Sequence, residues 1–317
     1  MNYPVFDLHC DTALSLVEHK EREKQSLRNN HGHIDLERGK QLPGYCQCFA
    51  CFTTPLMEKW YQISAEDVFR AELLALQESL AENEDVLRQA FNAADIEKNH
   101  KNGFISAVFT LEGTAGIGYD PERLEDLYAL GFRIASLGWN EQNPLCGSNV
   151  TGGGLTDKGR AFVREAQRLG ILVDVSHISD EAFWDIMDIT QAPIIATHSN
   201  SRSICGESRN LTDDMFRQIC KTGGVAGFNQ YASFIGRPAT MECACRHFLR
   251  FMELDPDGKH IALGGDLDGC EELTEGFDGI QSYPDFARNL LNCGLSGQNI
   301  QDIFWNNALG VMERCYI

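Results

Sequence analysis

Eight short runs rich in Val, Ile, Phe or Ala recur along the chain, separated by polar segments or by stretches with helical spacing. They are Pro4 to Asp11, Gln47 to Thr53, Phe104 to Glu112, Arg133 to Trp139, Ile171 to His177, Pro193 to His198, Gly224 to Asn229 and His260 to Asp266. Runs of this length and composition predict buried β-strands. Between them, Ser64 with Asp67 three residues on marks a helix start, and Phe69, Leu73, Leu76 and Leu80 follow at helical spacing. Thr156 opens a helix whose Phe162, Val163, Ala166 and Leu169 share one face, with Gly170 as its stop. Ser179 and Thr212 open two more. Alternating strand and helix predict an α/β fold, and eight units favour a closed (β/α)8 TIM barrel of the metal-dependent hydrolase type over an open doubly wound sheet. Gly152-Gly153-Gly154 lacks the spacing of a dinucleotide-binding loop. Without a repeat, linker or low-complexity segment, residues 1–317 are expected to form one domain.

Charge and cysteine content narrow the function. With 27 Lys and Arg against 46 Asp and Glu, the net charge is −19. Nucleic acids and anionic membranes require a cationic surface, so neither is expected as a partner. No apolar run approaches the roughly 20 residues that span a bilayer, and no leader pattern opens the chain, so a cytoplasmic location is expected. Its 12 cysteines are then expected to be inert thiols, including Cys46, Cys48 and Cys51 in an apolar run and the pair Cys243 and Cys245.

In such a barrel, functional groups lie at the C-terminal ends of strands. The first predicted strand ends His9-Cys10-Asp11, the third at Glu112, the fifth at His177, the sixth at His198 and the eighth at Asp266. Strand alternation puts His9 and Asp11 on one side. A lone strand-end histidine is ordinarily a hydrogen-bonded structural residue. Five such groups, His9, Asp11, Glu112, His177 and His198, at four strand ends instead point to metal. A two-oxygen carboxylate such as Glu112 can bridge two cations about 4 Å apart.

These segments resemble the membrane dipeptidase (renal dipeptidase) family, zinc metallopeptidases on a TIM-barrel scaffold. The resemblance rests on Asp7-Leu8-His9-Cys10-Asp11-Thr12, Leu111-Glu112-Gly113, Asp174-Val175-Ser176-His177, Ala196-Thr197-His198-Ser199-Asn200-Ser201, Ser208-Arg209-Asn210 and Gly264-Gly265-Asp266-Leu267-Asp268-Gly269. It implies two Zn2+ per chain: one on His9 and Asp11, the other on His177 and His198, with Glu112 bridging. It also implies Asp266 as catalytic acid/base, Arg209 as the holder of the substrate carboxylate, and a cytoplasmic bacterial-type member that hydrolyses dipeptides. The two ions would lower the pKa of a shared water so that hydroxide attacks the peptide bond. The family often forms homodimers, although no interface is legible. Where mammalian members carry a substrate-contacting histidine, this chain reads Leu137-Gly138-Trp139-Asn140, which makes Trp139 and Asn140 the candidate substrate contacts.

Other readings remain open at this stage. Deaminase- or nuclease-type binuclear amidohydrolases usually begin with HxH and often carry a lysine on the fourth strand; this chain has HxD and no lysine from Arg133 to Trp139. A non-catalytic binding barrel would have no need of the complete ligand set. Arg209 alone would read as a surface arginine paired with Glu207 or Asp213. His31, His33 and Asp35 form a decoy in a polar stretch and are expected to be structural or exposed. Asp268 is expected to support Asp266 from the loop. His19, His100, His247 and His260 have no acidic partner at ligand spacing in the sequence.

Overall fold

The computed structural model describes residues 3–18 and 26–314. His19 lies outside them. Eight parallel strands form the barrel: β1 (Val5–Asp7), β2 (Tyr45–Phe52), β3 (Ile105–Glu112), β4 (Phe132–Ser136), β5 (Leu172–Asp174), β6 (Ile194–Ile195), β7 (Ala226–Phe228) and β8 (Ile261–Leu263). They pair in the order β7-β8-β1-β2-β3-β4-β5-β6. Ala196 closes the ring: its amide donates to Val225 O at 3.0 Å, and its carbonyl accepts from Gly227 N at 2.8 Å. The expected eight-unit barrel is therefore present.

The helices begin where side-chain caps place them. Ser64 accepts from Asp67 N before α1 (Ala65–Glu82), Thr156 from Gly159 N before α2 (Asp157–Leu169), and Ser179 from Ala182 N before α3 (Asp180–Met187). Thr212 does the same for α4 (Asp213–Thr222), and Thr240 for α5 (Met241–Leu254). Each cap satisfies an amide that the first turn leaves unpaired. Gly170, left-handed at φ 80°, ends α2 as expected.

One buried cluster takes Phe6, Cys46, Val108, Ile134, Leu172, Ile195 and Ala262 from seven strands, together with Trp305 and Met312 near the C-terminus. These side chains fill the barrel. A larger cluster, including Phe49, Phe109, Phe162, Phe183, Phe216 and Phe248, joins the strands to the surrounding helices. Two features escaped the sequence pattern: a short strand, Leu87–Gln89, beside β3, and an antiparallel hairpin of Cys146–Ser148 with Gly152–Leu155. Cys46, Cys48 and Cys51 are buried free thiols, as expected. The expectation fails for Cys245, which forms a disulfide with Cys293. Neighbouring helices bring these Cα atoms to 6.4 Å across 48 residues of sequence, a pairing that no local spacing reveals.

Candidate metal centre

The buried carboxylates Asp7 and Asp174 shape the strand ends on which the site is built. Asp7 Oδ1 accepts from His9 N at 3.0 Å and from Gly265 N at 2.9 Å, and Tyr283 donates to Oδ2. Asp174 Oδ1 takes the amides of Ser176 and Thr197, each at 2.9 Å. In both places a side chain replaces the sheet partner of the backbone, so β1 is stitched to the end of β8 and β5 to that of β6. Gly264 is required beside them, because a Cβ there would stand 1.7 Å from Thr197 O.

Above these stitches, His9, Asp11, Glu112, His177 and His198 converge, all buried, with Asp266 half-buried beside them. Glu112 is central. Its Oε2 lies 3.1 Å from His9 Nε2, whereas Oε1 lies 2.9 Å from His177 Nε2 and 3.7 Å from His198 Nε2. His9 Nε2 also stands 3.5 Å from Asp11 Oδ2 and 3.9 Å from Asp266 Oδ1. Two overlapping groups, His9 with Glu112 and His198, and His9 with Asp11 and Asp266, each bring their donor atoms within 4.8 Å of one another.

Hydrogen bonding fixes the histidine tautomers. Thr197 donates its hydroxyl to Asp174 Oδ2 at 2.7 Å, so its oxygen must accept from His198 Nδ1, also at 2.7 Å. Asn140 Oδ1, an acceptor, lies 2.9 Å from His177 Nδ1. Both Nδ1 atoms therefore carry hydrogen, and the two Nε2 lone pairs face each other at 3.0 Å. Neutral lone pairs at that distance repel unless a cation lies near them. His9 Nε2 and Asp11 Oδ1 are buried without hydrogen-bond partners, which leaves them the same need. Nitrogen and carboxylate donors with orienting partners behind them suit a divalent ion of the zinc class.

Crowding of so many ionisable groups also shifts their titration. Burial pushes Glu112 up to about 8, with His9 partly opposing the shift. Burial alone would lower His9, but the charges of Glu112 and Asp11 raise it well above the usual imidazole range. His177 and His198 are held well below that range by burial, reinforced by the charges of Arg209 and His9. Asp266 is raised, first by burial. His177 and Asp266 are left-handed at φ 70° and 57°, conformations rare outside glycine, as is Asp268 at 63°.

Arg209 is 5% exposed, in the loop between β6 and α4. Its Nη1 donates to Ser199 Oγ at 2.7 Å, and its Nε and Nη2 are buried without partners. Asp213, one of its alternative partners, pairs with Arg250 instead. Trp139 lies edge-on to Phe52 at 5.2 Å and to Trp60 at 5.8 Å. These three rings, with Tyr231 and Phe234, wall a cavity of about 580 Å³ that reaches Asp11, Glu112, Asn140, His177 and Asp266. A larger open hollow of about 960 Å³, lined by His31, Arg237 and Glu275, contains none of the converging groups.

The decoy is structural. His33 exchanges two backbone-to-side-chain hydrogen bonds with Asp268 at 2.6 and 2.9 Å, and Asp35 caps the turn Leu36–Gly39. Asp268 also accepts from Thr12 at 2.7 Å, bracing the loop that carries Asp266. Sequence reasoning missed the orienting roles of Asp7, Asp174, Thr197 and Asn229, the last of which donates to Asp266 Oδ2 at 2.9 Å. The spacing that could have revealed two of them is a carboxylate two residues before a strand-end amide, as in Asp7-Leu8-His9 and Asp174-Val175-Ser176.

The membrane dipeptidase family, peptidase family M19, matches residues 1–316. An uncharacterized dipeptidase of Schizosaccharomyces pombe is 29% identical over 98% of this chain and 81% of its own length. Among solved structures, a metallopeptidase of Rhodobacter sphaeroides, liganded with a phosphinate mimic of the dipeptide L-Ala-D-Ala, superposes with a TM-score of 0.90 at 27% identity, covering 100% of both chains. An M19 dipeptidase reaches 0.91 at 27% identity over 100% of this chain and 99% of its own. Among the described residues no helix is long and apolar enough to cross a membrane. With its whole length matched and a cage of metal-suited donors at the barrel mouth, the chain belongs to the membrane dipeptidase family and is a metallo-dipeptidase.

Proposed function

We propose that this enzyme hydrolyses dipeptides bearing a free C-terminal carboxylate, with two zinc ions held by His9 and Asp11, by His177 and His198, and by Glu112 between them. The observation that carries this reading is the Glu112 carboxylate, whose two oxygens face different histidines at 3.1 and 2.9 Å. Ions bound there supply water activation near neutral pH and polarisation of the scissile carbonyl. The chain's own groups do the rest. Asp266 Oδ2 is held by Asn229, which leaves Oδ1 to take up a proton and return it to the leaving amine. On Arg209, Nε and Nη2 form one edge of the guanidinium, and that edge suits both oxygens of a carboxylate. Trp139 contributes to the aromatic wall against the substrate. Asn140 borders the same cavity and orients His177.

The same reading takes residues 1–317 as one dipeptidase domain, supported by the unbroken match over residues 1–316. The L-Ala-D-Ala mimic bound by the Rhodobacter sphaeroides relative makes L,D as well as L,L dipeptides the substrates to test first. Zinc-reconstituted protein is expected to hydrolyse free dipeptides and to spare their C-terminal amides. Fully loaded protein that turned over no member of an L,L and L,D dipeptide library would overturn the assignment.

A further inference from the structure

At the opposite end of the barrel from the catalytic mouth, three side chains from separate elements meet. Cys220 sits in the last turn of α4, Asp255 directly after α5, and His260 directly before β8. Each contributes one donor atom, and the three atoms lie within 4.8 Å of one another. All three residues are partly exposed, so an ion can reach them from solvent. In sequence His260 shows no acidic partner at ligand spacing; the fold supplies one by turning the chain back after α5.

Two of the three groups are already oriented. His260 Nδ1 lies 2.7 Å from Gly224 O, which only accepts, so Nδ1 carries the hydrogen and Nε2 holds the free lone pair. A second hydrogen bond, from His260 N to Asp255 Oδ2 at 2.9 Å, fixes the carboxylate against the same residue. A histidine whose other nitrogen is tied to a backbone carbonyl is the arrangement that metal-binding imidazoles use.

We propose that Cys220, Asp255 and His260 form an accessory binding site for a divalent ion of the zinc class, distinct from the catalytic centre. Thiolate, carboxylate and imidazole together match the preference of zinc and cobalt and not that of magnesium or calcium. Tetrahedral bonds of about 2.0–2.3 Å place neighbouring donors roughly 3.5 Å apart, so the three groups need only a modest contraction. One thiolate and one carboxylate balance the dication, and water takes the fourth position. Without metal, burial and the nearby Asp255 push the Cys220 thiol up to about 12. Coordination therefore releases one proton per ion as Cys–SH becomes metal-bound Cys–S⁻, and affinity rises with pH. The ion would tie the ends of α4 and α5 to the start of β8, on the barrel face where conserved contacts serve stability and not chemistry.

Cobalt distinguishes this site from the barrel mouth, because the catalytic donors are only nitrogen and oxygen and give no sulfur-to-cobalt charge-transfer band. Enzyme reconstituted with only the two equivalents of Zn2+ that fill the catalytic centre and then titrated with Co2+ is expected to develop that near-ultraviolet band, saturating at one added equivalent. Cys220→Ser should abolish it, and Asp255→Asn should weaken it, with dipeptide turnover unchanged in both. Absence of the band in the wild type, or its persistence in the Cys220→Ser protein, would overturn the proposal. Alkylation of Cys220 in the unmodified enzyme, followed by peptide mapping, gives a second readout that needs no variant. Protection by Zn2+ is expected, and an unchanged rate would equally overturn the site.

Discussion

Replacing Arg209 with alanine removes a guanidinium that is 5% exposed and has one of its three nitrogens tied to Ser199. The other two, Nε and Nη2, are buried and unpartnered in the free enzyme, so the cost of desolvating them is already present before substrate arrives. A carboxylate reaching that edge gains a charge-assisted interaction worth about 1.5–3 kcal/mol. Arg209→Ala should therefore lower kcat/KM for a dipeptide by about 10–150-fold, at roughly 1.4 kcal/mol per tenfold. Arg209→Lys retains the charge but lacks the planar edge, and should fall between the alanine variant and the wild type. The decisive assay compares each dipeptide with its C-terminal amide. The amide has no carboxylate, so it should be a poor substrate for the wild type and lose far less on mutation. Equal losses for acid and amide would refute the clamp and leave Arg209 as a brace between Ser199 and Phe234, whose ring centre lies 5.8 Å from the guanidinium.

Three further outcomes are expected. Glu112→Gln should lose most of the bound zinc by elemental analysis, because both oxygens face ligands; full occupancy would contradict bridging. Asp266→Asn should keep its metal while kcat falls about 10²–10⁴-fold, whereas loss of metal would make Asp266 a ligand. Glu72, fully buried in α1, has one unpartnered oxygen and is raised well above the usual carboxylate range by burial. The folded protein therefore holds a proton that the unfolded chain gives up, and this group's contribution to stability is lost as pH rises. Glu72→Gln should raise the urea midpoint at pH 8 more than at pH 5, and an identical change at both would discount that proton.

The sequence makes the barrel visible because its β-rich runs are separated by helices that begin at a Ser or Thr whose cap can be recognised from residue type alone. Strand lengths were less legible. Pro193 to His198 reads as one strand, yet only Ile194–Ile195 forms, because Thr197 N turns to Asp174 Oδ1 and His198 N to Ser176 Oγ. Pro4 to Asp11 shortens to Val5–Asp7 for the same reason, with His9 N taken by Asp7. Hydrophobic pattern registers which residues are buried, not which acceptor each amide finds. Glu112 was easier to place, because a carboxylate ending an apolar run stands out where β3 stops. The roles of Asn229 and Asn140 depend on contacts 37 residues distant in sequence, which no local spacing encodes.

The left-handed backbone at His177, Asp266 and Asp268 sets a limit on how this enzyme can be improved. Each departure from glycine there costs about 1 kcal/mol, histidine and aspartate being among the residues that tolerate it best. Together the three forgo about 3 kcal/mol, a sizeable part of the roughly 5–15 kcal/mol that holds an ordinary domain folded. Directed evolution scored on heat resistance alone would favour glycine at these positions and discard the proposed proton carrier and a proposed metal ligand with it. A thermostabilisation library for this enzyme should therefore hold the three positions fixed and seek its gains in the helices around the barrel.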